Sequence, residues 1–122
     1  MLTVRTSLLA AGICLAFSTS AFAHAHLLSS SPAMSATVTA APSMLKLDFS
    51  EAIEPSLSGI TVTDGDHNAV AIGRPSLAEG NDRELLVPVT GTQAAGTITV
   101  DWHAFSKDGH TTMGAFTFSI GK

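Results

Sequence analysis

At 122 residues and 45% hydrophobic, the chain has material for one small cored domain and not for two. Its formal net charge of −4 argues against nucleic acid and anionic membrane surfaces as partners. A single cysteine, Cys14, rules out an internal disulfide.

The first 23 residues follow the grammar of a signal peptide. Arg5 supplies a short positive region, Leu8 to Phe17 an apolar run, and Ala21-Phe22-Ala23 the small residues of a cleavage site. The apolar run is short for a membrane span. Ala11-Gly12-Ile13-Cys14 fits a lipoprotein signal only loosely. Cleavage after Ala23 leaves a mature domain of residues 24–122, which starts at His24 and has no thiol. All five histidines and all ten acidic residues lie in that part.

Short alternating runs then follow one another, separated by Gly, Pro, Asn, Asp and Ser. "LKLDFS" sets Leu45, Leu47 and Phe49 on one face, opposite Lys46 and Asp48. Glu54-Pro55-Ser56-Leu57 reads as a turn or one helical turn. "GITVTD" repeats the alternation with Ile60 and Val62, and Asp64-Gly65-Asp66 closes it as a loop. "ELLVPV" offers Leu85, Val87 and Val89, with Pro88 pointing to an edge strand or a bulge. "TITVDWHAF" alternates Ile98, Val100, Trp102 and Ala104 against Thr99, Asp101 and His103. "GAFTFSI" closes the chain with Phe116, Phe118 and Ile120 inward. Period-two alternation with turn signals about every ten residues predicts an all-β fold: a sandwich or barrel of seven to eight antiparallel strands over residues 27–122.

Two places carry chemistry. Once the leader is removed, the α-amine and the imidazole Nδ1 of His24 can close a chelate ring on one metal ion. A metal can displace the amine's proton near neutral pH, since an α-amine titrates at about 7.7–8.0. Nitrogen-rich sets of this kind suit Cu(II) best among common divalent ions. The bland alternative is a harmless exposed histidine after a cleavage site. The second place is "SKDGHTTMGAF", residues 106–116. There Asp108 and His110 face one side if extended, or converge in a turn around Gly109. The carboxylate is then a ligand or a partner that orients the ring. Here the alternative is an ordinary Asp-Gly turn.

The His-x-His start, "LDFSEAIEP" and "VDWHAFSKDGHTTMGAFTF" resemble, in that order, the CopC family of periplasmic copper-binding proteins. The resemblance implies an immunoglobulin-like Greek-key sandwich or barrel, located in the periplasm. It implies Cu(II) bound by the amine and imidazole of His24 and by the imidazole of His110, with Asp108 as ligand or near-ligand. His26 is the extra ligand implied for members that start His-x-His. Some members also hold Cu(I) in a methionine-rich loop. The corresponding stretch here, "VTDGDHNAVAIGRPS", has no methionine, and Met34, Met44 and Met113 are scattered. A separate soft site is therefore not expected, and selectivity should favour Cu(II) over Zn(II). His67 reads as a solvated loop residue and His103 as a surface residue. Glu51 serves the turn or lies near the site.

The function expected is a non-catalytic, monomeric copper carrier acting in copper homeostasis, resistance or delivery. Its partners would be the copper ion and an inner-membrane copper transporter or a periplasmic cuproprotein. The rival is a copper-dependent oxygenase built on the same N-terminal chelate. With no tyrosine and one tryptophan, the chain lacks the flat aromatic face that such enzymes use on polysaccharides.

Overall fold

The alternating runs form strands. In a computed structural model that describes residues 24–122, nine strands build two sheets that face each other. The leader assigned to residues 1–23 lies outside the described residues. In chain order the strands are β1 (Leu27–Ser31), β2 (Thr37–Val38), β3 (Met44–Phe49), β4 (Gly59–Thr63), β5 (Ala69–Val70), β6 (Ser76–Ala78), β7 (Asn81–Pro88), β8 (Gly96–Phe105) and β9 (Thr111–Ile120). One sheet has the order β1-β3-β7-β6 and the other β2-β9-β8-β4-β5. The chain crosses between the sheets at five of its eight strand connections, and the strand neighbours are those of an immunoglobulin-like sandwich.

The inward faces supply the core. Leu45, Leu47 and Phe49 from one sheet meet Ile98, Val100, Ala104, Phe116 and Phe118 from the other, all buried. Burying such side chains contributes about 1.5–3 kcal/mol each, which is the main force holding the sheets together. Trp102 and Ile60 reach the core only in part. The Trp102 ring meets Phe49 edge to face, with centroids 5.2 Å apart. It also lies over Gly114, where a Cβ would come within 2.6 Å of the indole. Glycine is therefore needed at 114 for the ring to lie there.

Three details differ from the reading of the sequence. The strand count is nine because β2 and β5 are two-residue pieces with too little pattern to see. β2 pairs with β9 in parallel, whereas every other ladder is antiparallel. The strand holding Pro88 is interior rather than at an edge. Pro88 is tolerated there because it is the last residue of β7, beyond the Ser76–Leu86 pair where β6 begins. Its missing N–H faces ground that β6 does not cover. The Glu54–Leu57 segment does form one helical turn, a 3-10 turn over Pro55–Leu57.

Candidate metal centre

The start of the described chain is pinned before β1 begins. Ala25 is fully buried, so the residues on either side, His24 and His26, point away from the core. Ser50, just after β3, clamps this segment. Its amide donates to the His26 carbonyl at 2.8 Å, and its hydroxyl accepts from the His26 amide at 2.8 Å. The same hydroxyl donates to the His24 carbonyl at 3.1 Å. From β9, the Thr112 hydroxyl donates to the Ala25 carbonyl at 2.7 Å. Two serine/threonine side chains thus hold the first residues against both sheets at once.

The second half comes from the β8–β9 loop. Gly109 adopts φ +94°, the left-handed region that glycine enters without cost, and lets the chain turn back within five residues. Ser106 is buried and organises the turn. Its amide donates to the His110 carbonyl at 2.9 Å, and its carbonyl accepts from the Gly109 amide at 2.9 Å. The Ser106 hydroxyl is hydrogen-bonded to Asp108 Oδ1 and also lies 3.2 Å from the His110 carbonyl oxygen. Asp108 Oδ1 in turn accepts from the His110 amide at 3.3 Å and lies 3.3 Å from His110 Nδ1. The Ser106 hydroxyl, with a smaller contribution from His110, holds the Asp108 carboxyl below its ordinary value, and partial desolvation opposes them.

The two halves meet. The rings of His24 and His110 stand 5.1 Å apart, nearly perpendicular, and His26 lies 6.5 Å from His24. Asp108 and His110 keep about 40% of their side chains open to solvent, so an ion can reach them. Among the described residues, no three side chains of His, Cys, Asp or Glu are gathered as a ready metal cage. His67 stays apart, exposed in the β4–β5 loop. His103 is exposed on the outer face of β8, its ring laid over Gly59. Glu51 follows Ser50 in the turn and is half-buried.

Ser50, Ser106 and Thr112 are the positioning residues that the sequence reading missed. Only Ser106 carried a signal, its spacing of two from Asp108 beside a glycine, which is the pattern of a side-chain-closed turn. Ser106→Ala should raise the Asp108 carboxyl toward its ordinary 3.8, measurable by NMR titration of the carboxyl carbon. Because Asp108 is lowered in the folded chain, its contribution to stability is complete above that ordinary value. It disappears as pH falls through the lowered one. The stability gap between the two proteins should narrow in the same window. An unchanged Asp108 titration would remove Ser106 from this role.

Comparison with known proteins places the chain in a family. The family described as the CopC domain matches residues 27–121, which include Asp108 and His110 and begin three residues after His24. The chain is 42% identical to protein YobA of Escherichia coli, over 83% of this chain and 82% of that protein. It is 35% identical to Copper resistance protein C of Pseudomonas syringae pv. tomato, over 98% of this chain and 99% of that one. Its fold is similar to the crystal structure of CopC from Methylosinus trichosporium, with a TM-score of 0.73 and 28% identity, covering 80% of this chain and 94% of that one. The match runs along nearly the whole described chain, which belongs to the CopC family.

Proposed function

We propose that the protein is a periplasmic copper carrier that holds Cu(II) where the start of the mature chain meets the β8–β9 loop. The donors are the α-amine and imidazole of His24 and the imidazole of His110, with Asp108 as ligand or as the group that orients His110. His26 is a further donor. The reading rests above all on the 5.1 Å between the His24 and His110 rings. A metal bonded to an imidazole nitrogen at about 2.0 Å lies about 3.2 Å from that ring's centre. Two rings sharing one ion then have centroids about 4.5 Å apart when cis and about 6.4 Å when trans. The His24–His110 distance falls inside this window, and the His24–His26 distance of 6.5 Å is at its outer end. With Nδ1 of His110 turned to Asp108, the copper-bound nitrogen of that ring is Nε2.

Removal of residues 1–23 completes the donor set. A side-chain cage is not needed, because one donor is a main-chain nitrogen that becomes an amine on processing. Donors of nitrogen and carboxylate type, without thiolate, favour Cu(II) over Zn(II). Membership in the CopC family supports a copper carrier rather than an enzyme. Delivery would be to an inner-membrane copper transporter or a periplasmic cuproprotein, since an exposed site on a small domain can be presented to a partner.

The test is a Cu(II) titration of the secreted protein with its authentic His24 terminus. His110→Ala should weaken binding by about 10–100-fold, at least the cost of disturbing a supporting group around a metal. His103→Ala should leave binding unchanged. Equal affinities for wild type and His110→Ala would refute the assignment.

A further inference from the structure

Met34 and Met113 are far apart in the chain, but the fold brings both to one groove of about 460 Å³ that His26 and Trp102 also line. The groove follows the edge of β9 between two ties. At one end the Ser35 amide donates to the Thr117 carbonyl at 2.7 Å, fixing the residue after Met34. At the other end Thr112 holds Ala25, the residue before His26. Met113 projects from β9 between these ties. Trp102 reaches the groove because Gly114 has no side chain to block it.

The two thioethers are poorly used as packing. Met113 is 78% exposed and Met34 46%. Single exposed methionines are unremarkable, but two of them beside an imidazole and an indole form a donor set of a particular kind. Thioethers are soft, polarisable ligands that select Cu(I) from among biological copper and divalent ions. An indole attracts a cation to its ring. His103, which faces Met113 across the β8–β9 ladder and has its ring over Gly59, lines an adjoining groove with Met113 and Trp102, and His26 is the imidazole of this one.

We propose that this groove is a second metal site, for a soft monovalent cation of the Cu(I) class, held by the thioethers of Met34 and Met113 with His26 and against the Trp102 indole. It does not use His24, Asp108 or His110 of the Cu(II) site, and it shares with that site only His26, the further donor there.

Ag(I) is a suitable probe, having the same charge and softness as Cu(I) without its redox chemistry. Trp102 is the only tryptophan, so its emission reports binding beside its own indole. In chloride-free buffer, Ag(I) added to the secreted protein should quench Trp102 with one-to-one stoichiometry. The ε-methyl NMR signals of Met34 and Met113 should shift, while that of Met44 stays in place. In the Met34→Leu/Met113→Leu double variant, swaps that nearly conserve volume, Ag(I) affinity should fall at least about tenfold. Cu(II) affinity should stay within about twofold of wild type. The proposal is overturned if saturating Ag(I) moves neither methyl signal in the wild-type protein, or if the double variant binds Ag(I) as tightly. Failure of the Cu(II) assignment shows separately, as His110→Ala without effect on Cu(II).

Discussion

Acetylating the α-amine of His24 should lower Cu(II) affinity at pH 7 by more than about 100-fold while leaving the fold intact. The bound exceeds what loss of a supporting group around a metal costs, because here a ligand itself is lost together with its chelate ring. An amide nitrogen shares its lone pair with the carbonyl and offers none to copper, whereas an amine offers one and closes a six-membered chelate ring with Nδ1 of the same residue. The modification can be made selectively near pH 6.5, where an α-amine of about 7.7–8.0 is partly deprotonated and lysines near 10.4 are not. The fold does not depend on that nitrogen: Ser50 and Thr112 hold this segment through the carbonyls of His24, Ala25 and His26 and the amide of His26. Calorimetry in buffers of different ionisation enthalpy should show about one proton fewer released per copper by the acetylated protein at pH 7. Equal affinities would show that the amine is not a ligand.

The sandwich was legible because each long strand carries its own evidence. In β3, β8 and β9 every fully buried position is apolar: Leu45, Leu47 and Phe49, then Ile98, Val100 and Ala104, then Phe116, Phe118 and Ile120. A two-residue strand such as Thr37–Val38 has no period to read, and its parallel pairing with β9 is set by where Ser35 and Gly121 find backbone partners. The proposed donors stand out in the sequence for a different reason. His24 does so by its place after a cleavage-site pattern, and Asp108 and His110 by their spacing around Gly109. Nothing in "DFSEA" announces that Ser50 would grip residues 24 and 26, because that role exists only once β1 and β3 pair. The same applies to Met34 and Met113. They look scattered along the chain, and a groove between non-adjacent segments is what joins them.

Phe49→Ala should cost about 3–5 kcal/mol of stability and weaken Cu(II) binding, although Phe49 touches no donor. The stability loss is the usual one for emptying a buried phenylalanine site. Phe49 is 2% exposed and packs against Trp102, so the cavity would open beneath the one tryptophan. For a domain of this size, each kcal/mol lowers Tm by roughly 4–8 °C, so the shift should be easily measured. Copper binding should suffer because Phe49 pairs with Leu27 at the end of β3, immediately before Ser50. If that strand end loosens, the hydroxyl that grips His24 and His26 moves with it. Phe118→Ala is the matching control. Phe118 is equally buried, but it pairs with Ile98 toward the far end of β9 from Thr111 and the β8–β9 loop. Both variants should lose comparable stability in denaturant titrations followed by Trp102 emission. Under conditions where both remain folded, only Phe49→Ala should lose Cu(II) affinity. If the two variants bind copper equally, the site does not depend on the end of β3, and the Ser50 clamp does not position its donors.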